Sequence, residues 1–485
     1  MLFPRLADPD TAEAVRFGDR GLNYSELATT ARAVAGSLSA TRGPVAVHAE
    51  PRIETAVAVI AALHAGVPAV PVNPASGPAE LAHILGDSTP TGVLCAPDTA
   101  LPDALTGLSR IEVSAPQDTR TLAADLPEPS TSAAALVVYT SGTTGPPKGA
   151  VLSRGALAAT LDALASAWRW SGEDVVVHGL PLFHVHGLVL GVLGPLRRGG
   201  TACHLGRFSP EATATALRAW SGSRPTMLFG VPTMYRRLAD SAETDTTVAD
   251  ALRTARLLVS GSAALPVREH DRITRLTGQR VIERYGMTET LMNTSLRVDG
   301  PHRPGTVGVP LDGVDLRIVD DEGAPITTLD GTSIGEIQVR GPNLFTGYLN
   351  RPEATAESFD GDWFRTGDMA TVDGDGFVRI VGRKATDLIS SGGYKIGACE
   401  IENALLEHPA VAEAAVTGQQ DTDLGERIVA WVVPRDTPPA AEELIDHVSG
   451  TLAPHKRPRV VHFVDALPRN ELGKVTKTAL RDQHR

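Results

Sequence analysis

Cysteine is scarce: Cys95, Cys203 and Cys399 are the 3 in 485 residues, each more than a hundred positions from the next. That spacing excludes a close zinc-ligand pair and a disulfide framework. The three read as small buried hydrophobes in a reducing compartment. A long apolar run is also missing. The longest uncharged stretch, Ala56 to Val72, is interrupted by His64, Gly66, Pro68 and Pro71. It is not the clean run of about 20 apolar residues that a membrane helix needs. The opening residues MLFPRLADPDTAEAV carry acids where a secretory signal needs an apolar centre. Basic residues are in deficit, with 45 Lys and Arg against 57 Asp and Glu, a formal net charge of −12. Such a balance disfavours non-specific binding to nucleic acid. These absences predict a cytoplasmic protein with no nucleic-acid and no membrane partner.

Hydrophobic residues at 42% and charged residues at 21% are what a folded globular chain carries. The length suggests about three structural units. Short apolar runs alternate with helical patterns, the mark of βαβ units and parallel sheets. Strands are predicted at Pro44 to Ala49, Ala69 to Val72, Thr226 to Phe229, Leu257 to Val259 and Val281 to Tyr285. Helices are predicted at Arg52 to Ala65, after Pro232, and at Pro266 to Leu276. From Gly313 to Val381 the pattern turns β-rich, with Gly and Asp at turns. The last hundred or so residues carry their own alternation of helices and strands, as a separate small α+β unit would.

The sharpest local feature is Tyr139-Thr-Ser-Gly-Thr-Thr-Gly-Pro-Pro-Lys148-Gly149, between an apolar run and a helical pattern starting near Ser153. Thr140, Ser141, Thr143 and Thr144 offer hydroxyls. Gly142 and Gly145 let backbone N–H groups approach an anion. Lys148 adds a point charge. The segment suits a polyphosphate, yet it is no P-loop. That motif needs Gly before the Lys and Ser or Thr after it, and here Pro147 and Gly149 stand there.

This string resembles the signature of acyl-adenylate-forming enzymes: acyl-CoA synthetases, luciferases and peptide-synthetase adenylation domains. The resemblance recurs in order along nearly the whole chain. It runs through Phe183-His-Val-His-Gly187, Val259-Ser-Gly-Ser-Ala263, Tyr285-Gly-Met-Thr-Glu-Thr290, Arg365-Thr-Gly-Asp368, Gly382-Arg383 and Gly473-Lys474. It implies an α/β fold: a large N-terminal domain of layered sheets and helices with a β-rich subdomain, residues 1–383. A small mobile α+β C-terminal domain, residues 384–485, would follow. It also implies the use of ATP, Mg²⁺ and CoA. The acid attacks the α-phosphate of ATP to give an acyl-AMP, and a thiol then displaces AMP.

By the same resemblance Glu289 is the Mg²⁺ ligand, with Thr288 donating to a phosphate. Gly261, Ser262 and Ala263 wall the adenine site, with Glu283, Arg284, Tyr285, Gly286 and Met287. Tyr285 can stack on a purine or stay an ordinary half-buried strand aromatic. Asp368 accepts from ribose hydroxyls and Arg383 assists at the domain junction. Lys474 bridges the carboxylate and the α-phosphate. Ser391, Gly392, Gly393, Tyr394 and Lys395 line the path of the pantetheine arm in a second domain orientation. Lys456 and Arg459 either meet the CoA phosphates or form a solvated basic patch. Arg383 to Asp387 is one residue longer than the family spacing, so no pivot residue is assigned.

The helix after Pro232 begins Thr233-Met-Tyr-Arg-Arg-Leu238. In the family this region flanks the acyl pocket. Neighbours on a helix differ by about 100°, so Arg236 and Arg237 cannot face the same way. Arg236 is favoured as an inward clamp for a second carboxylate, with two solvated arginines as the alternative. His184, His186 and Ser260 border the same pocket. With that arginine the chain is most similar to malonyl-CoA synthetases, acting on malonate or methylmalonate. An acyl-CoA synthetase for another short or aromatic acid, or an inert nucleotide-binding relative, remains open at this point. Oligomeric state is left unassigned.

Overall fold

The computed structural model describes residues 1–114, 127–140, 146–469 and 475–482. Among them the chain builds four sheets. The first is nine-stranded, and its centre is parallel. The strands Val281–Tyr285, Leu257–Ser260, Thr226–Gly230, Val175–His178, Thr201–His204 and Glu13–Phe17 lie side by side in that order. The second is seven-stranded and runs from Gly347–Tyr348 through Lys148–Ser153, Ala134–Thr140, Ala69–Val72 and Val45–His48 to Gly92–Cys95 and Ser109–Glu112. Central strands of both are buried on two faces, which is why they read as unbroken Val, Ile, Leu and Ala runs.

The third sheet is antiparallel and five-stranded, built from Asp315–Val319, Gly335–Arg340, Phe359–Asp360, Trp363–Val372 and Val378–Arg383. One apolar core joins these three sheets, from Leu2 through Leu193 to Val378. The fourth sheet comprises Leu388–Ser391, Tyr394–Gly397, Val411–Asp421, Gly425–Pro434 and Val460–Phe463. It has an apolar cluster of its own with the helices Ala398–Glu407 and Ala441–Thr451, and no member of that cluster precedes Ile389.

Local chemistry explains the boundaries. The helix Ile53–Ala65 stops where Gly66 takes φ 70°, a left-handed cap that glycine adopts without strain. Pro232 opens Pro232–Thr244 at the first helical position, where a missing N–H costs nothing. Ser153 caps Arg154–Trp168 by accepting the Ala156 N–H at 3.0 Å. One expectation needs refinement. Lys148 does not lie in a plain strand-to-helix loop. Lys148–Ser153 folds back antiparallel on Ala134–Thr140, with Thr140 opposite Lys148, and the helix starts only afterwards. No helix among the described residues is long and apolar enough to cross a membrane. The three cysteines are free.

His204, at the carboxyl end of Thr201–His204, is fully buried. Its Nε2 donates to the Leu180 carbonyl at 2.9 Å, and its Nδ1 accepts from the Gly206 N–H at 2.9 Å. Those partners fix a neutral tautomer, and burial pushes the imidazole pKa down to about 4. The unfolded chain binds a proton near pH 6.5, whereas the folded one does not until about pH 4. Stability from this residue is therefore full above pH 6.5 and is lost as pH falls from there to 4. Urea unfolding midpoints across that range should fall more steeply for the native chain than for His204→Gln; parallel profiles would refute the assignment.

Candidate active site

In open α/β sheets ligands bind outside the carboxyl ends of the strands, and Gly261 and Ser262 directly follow the carboxyl end of Leu257–Ser260. At the end of Leu257–Ser260 the chain turns through Gly261, and Ser262 adopts φ 71°. That left-handed conformation costs a non-glycine residue roughly 1–3 kcal/mol. Its neighbours show why the turn is held. A Cβ on Gly261 would lie 2.3 Å from Arg284 Cζ, so the guanidinium occupies the space a side chain would fill. Arg284 is 5% exposed, and its Nε and Nη2 have no hydrogen-bond partner among the described residues. Burial pulls its pKa down to about 10, which still leaves it charged at neutral pH. An unpaired buried cation is costly and calls for an anion.

His186 stands beside this group. Its Nδ1 lies 3.2 Å from Ser262 Oγ, and its buried Nε2 has no partner among the described residues. Burial, and then the Arg284 charge, drive its pKa well below the usual imidazole value, so it is neutral. It opens a wide-turned π-helix, His186–Leu193, a form of helix often found at functional sites. His184, pushed down to about 4 by burial, packs its ring 4.5 Å from Phe183. Ser260 is fully buried, with an Oγ that also lacks a partner among the described residues.

A second cluster joins Tyr285, Asp368 and Arg383. Asp368 and Arg383 face each other across adjacent strands of the third sheet. Arg383 Nε lies 2.9 Å from Asp368 Oδ1, and its Nη1 donates to the Thr366 carbonyl at 2.9 Å. The Tyr285 hydroxyl donates to Asp368 Oδ2 at 2.6 Å. Burial and the Asp368 charge raise the Tyr285 pKa, so the phenol stays protonated. Burial lowers the Arg383 pKa, but the Asp368 charge outweighs it and the net shift is upward.

A third cluster gathers around Glu289. After Tyr285 the chain makes a tight turn in which a Cβ on Gly286 would fall 1.8 Å from the Leu291 carbonyl oxygen. Asn343 Nδ2 props the turn by donating to the Thr290 carbonyl at 2.6 Å. The Tyr348 hydroxyl donates to Glu289 Oε1 at 2.8 Å, and Lys148 Nζ lies 4.9 Å from the Tyr348 ring centre. Met287 and Thr288 are half-buried on the same turn. Tyr348 and Asn343 carried no signal in the sequence, because their partners lie far away along the chain. No group of three His, Cys, Asp or Glu among the described residues forms a metal cage. One carboxylate completed by phosphate oxygens and water is what Mg²⁺ commonly takes, and Glu289 fits that role.

Other expected residues fall elsewhere. Arg236 does not face a pocket. Its Nη1 is 2.7 Å from Glu413 Oε1 in the fourth sheet, while Tyr235 takes the inward position and donates to the Leu228 and Val259 carbonyls. Arg237 is exposed over the Phe208 ring. Glu283 is committed to structure rather than to an adenine wall. Its Oε1 accepts the Leu265 N–H at 2.9 Å, and its Oε2 lies 2.8 Å from His270 Nε2. Strand alternation turns it away from the face that Arg284 occupies. Ala263 is exposed beside Ser262.

Ser391 and Tyr394 pair across a hairpin whose turn is Gly392 and Gly393, at φ 58° and 82°. Tyr394 is 55% exposed and stacks on His455 at 4.2 Å. Lys395 pairs with Asp321, Lys456 with Glu400 at 2.6 Å, and Arg459 is exposed. Ser141, Gly142, Thr143, Thr144, Gly145 and Lys474 lie outside the described residues.

Residues 5–349 match the family described as AMP-binding enzyme, and residues 400–474 match AMP-binding enzyme C-terminal domain. A malonate–CoA ligase of Arabidopsis thaliana is 37% identical over 488 residues, covering 92% of this chain and 78% of the relative. The mitochondrial malonate–CoA ligase of Homo sapiens is 38% identical over 374 residues, or 71% of this chain. That match spans 65% of the human protein, less than two thirds of its length. Among solved structures, a malonyl-CoA ligase product complex with methylmalonyl-CoA and AMP bound is 63% identical. It superposes with a TM-score of 0.74 over 96% of this chain and 100% of that one. ATP-bound MatB from Rhodopseudomonas palustris is 35% identical, with a TM-score of 0.89 over 100% of this chain and 98% of that one. In sequence, in fold and in the order of its motifs, the chain belongs to the AMP-binding, acyl-adenylate-forming enzymes.

Proposed function

We propose that this enzyme joins malonate or methylmalonate to CoA, using ATP and passing through an acyl-AMP. Relatives named as malonate–CoA ligases support the reading, as does a relative solved with methylmalonyl-CoA and AMP. The observation that carries it is the buried Arg284 guanidinium, whose Nε and Nη2 have no partner among the described residues, beside neutral His186. A dicarboxylate must expose one carboxylate to ATP and have the other neutralised away from it. The planar fork of Arg284 suits a bidentate grip on that second group. His186 adds a polar neighbour without a competing charge. Arg284 thus takes the role that the helix residue Arg236 was expected to fill.

The reaction then follows in two steps. A carboxylate oxygen attacks the α-phosphorus of ATP, the bond to the β-phosphate oxygen breaks, and pyrophosphate leaves. The CoA sulfur attacks the carbonyl carbon of the mixed anhydride, the bond to the phosphate oxygen breaks, and AMP leaves with the electron pair. Positioning and charge stabilisation dominate such chemistry. Thr140, Lys148 and the hydroxyl-rich residues between them cradle the phosphates. Mg²⁺, when bound, offsets phosphate charge, and Glu289 with water would hold it. Asp368 accepts the ribose hydroxyls, and Arg383 and Tyr285 hold it in place.

Lys474 brings a positive charge to the carboxylate and α-phosphate in the first step. Residues 384–485 act as a domain that reorients against residues 1–383 between steps. Ser391 to Lys395 then guide the pantetheine arm. Surface pairs such as Lys395–Asp321 are worth only about 0.2–1 kcal/mol, so they exchange readily. The free cysteines support a reducing, cytoplasmic setting.

Pyrophosphate release tests the acid site. Arg284→Ala should lower kcat/KM for malonate by roughly two to three orders of magnitude, the effect of removing one partner of a buried charge pair. Propionate turnover should change far less; an equal loss for both acids would remove Arg284 from the acid site. Lys474→Ala should slow acyl-AMP formation at least about 100-fold and spare CoA transfer from supplied acyl-AMP. Equal loss in both half-reactions would remove Lys474 from the first step.

A further inference from the structure

Glu413 lies on the long strand Val411–Asp421 of the fourth sheet. Its carboxylate has two guanidinium partners. Arg236 Nη1 is 2.7 Å from Oε1, and Arg469 Nη2 is 2.6 Å from Oε2. Arg236 belongs to the helix Pro232–Thr244, packed on the nine-stranded sheet through Tyr235, Leu238 and Ala239. Arg469 pairs with Val475 in an antiparallel bridge, and Val475 directly follows Lys474 in the chain. One carboxylate therefore ties a helix of the large part of the molecule to Arg469, which with Val475 flanks Lys474 in the sequence.

The group is built for that connection. The Glu413 side chain is 19% exposed, against 39% for Arg236 and 30% for Arg469, so the two pairs lie at a partly wet boundary and are directional rather than strong. Burial raises its pKa, but Arg469 and then Arg236 outweigh this and hold it below the usual carboxylate range. Two more polar contacts cross the seam. Arg268 donates to the Leu406 carbonyl, and Lys384 lies 3.1 Å from Glu336. The structure resembles the ATP-bound relative (TM-score 0.89) more closely than the product-bound one (TM-score 0.74), although the latter is more alike in sequence.

We propose that Glu413 is a positioning residue for the first half-reaction: gripped by Arg236 and Arg469, it holds the small domain in the orientation of this structure, and that orientation is the one that serves acyl-AMP formation. The proposal rests on the reading that Lys474 serves acyl-AMP formation. A latch of this kind stabilises one orientation over another, so its loss shifts a population and leaves the chemistry of the second step untouched. Its contacts involve Arg236 directly, so Arg236 and Glu413 act as one unit.

The test uses the full-length enzyme and both half-reactions: ATP–pyrophosphate exchange with malonate, and CoA transfer from supplied malonyl-AMP. Glu413→Gln and Arg236→Ala should each slow exchange roughly tenfold and leave transfer unchanged or faster. The double variant should be no slower than either single one, the signature of a shared contact. Arg236→Ala should slow propionate-dependent exchange by the same factor as malonate-dependent exchange. Lys474→Ala, run alongside, checks the underlying reading. If it fails to separate the half-reactions, that reading falls and the latch falls with it. If Lys474→Ala separates them while Glu413→Gln changes neither step, or both equally, the latch alone is overturned. Multiplying effects in the double variant, or a loss confined to malonate in Arg236→Ala, would also overturn it.

Discussion

A guanidinium buried without a counter-charge is the constraint around which the cleft is organised. Taking an ion out of water costs several kcal/mol even after relaxation, and only an opposite charge with good geometry repays it. The chain supplies no such charge to Arg284 Nε and Nη2 among its described residues. Instead it adapts everything nearby to keep the group in place. Gly261 gives up its side chain to the guanidinium, Ser262 bears a left-handed backbone, and His186 is held neutral. Each of these is a local loss of stability. A fold accepts such losses where a ligand makes them good, and on the proposed reading a small dianion would bring the missing charge.

The other two clusters show why so long a chain is needed to use that charge. Lys148 and Tyr348 come from the seven-stranded sheet, and Glu289 from the turn that leaves the nine-stranded sheet. Asp368 and Arg383 come from the antiparallel sheet. The site lies where three sheets converge, and no one of them holds a working set. Cross-strand pairing sets the Asp368–Arg383 geometry, and the Tyr285 hydroxyl locks that pair to the nine-stranded sheet at 2.6 Å. The Tyr348–Glu289 contact fastens the seven-stranded sheet to the same turn. Interactions local to a strand thus become a rigid three-sided site, which is what charge stabilisation without reorganisation requires.

Much of this was legible from residue patterns, and the failures have physical causes. The strands at Ala69–Val72 and Val281–Tyr285 announced themselves as short apolar runs bounded by Pro, Gly or helix signals. The ordered motifs named Glu289, Asp368 and Arg383; the fold places Glu289 in contact with Tyr348, and Asp368 in contact with Tyr285 and Arg383. Helical spacing showed that Arg236 and Arg237 could not share a face, but not that Tyr235 would claim the inward one. That choice depends on hydroxyl acceptors at Leu228 and Val259, which the helix's own sequence does not reveal. Glu283 and Arg284 were grouped as neighbours, although a period of two sends them to opposite faces of the sheet. Tyr348 was invisible because its strand pairs with Ala150, almost two hundred residues earlier.

On the proposal that residues 384–485 reorient, the seam between the fourth sheet and the rest should be one that can be released. An extensive apolar interface would hold one orientation and resist release, since its stabilisation grows with every Å² covered. Paired charges at a partly wet boundary are directional and individually weak, so a few of them select an orientation without trapping it. The contacts here have that character: Arg236 and Arg469 on Glu413, Lys384 on Glu336, Lys395 on Asp321. Within the tail the logic reverses. Lys477, half-buried, is held between Asp387 at 2.9 Å and Glu402 at 2.7 Å, and Arg481 donates to the Thr386 carbonyl at 2.6 Å. Breaking an ion cluster sheltered from water is costlier than exchanging a surface pair. The terminal helix Lys477–Asp482 is thereby bound firmly to the linker at Thr386 and Asp387. Strong ties inside the unit and weak ones across its border are the conditions under which a short tail moves as one body.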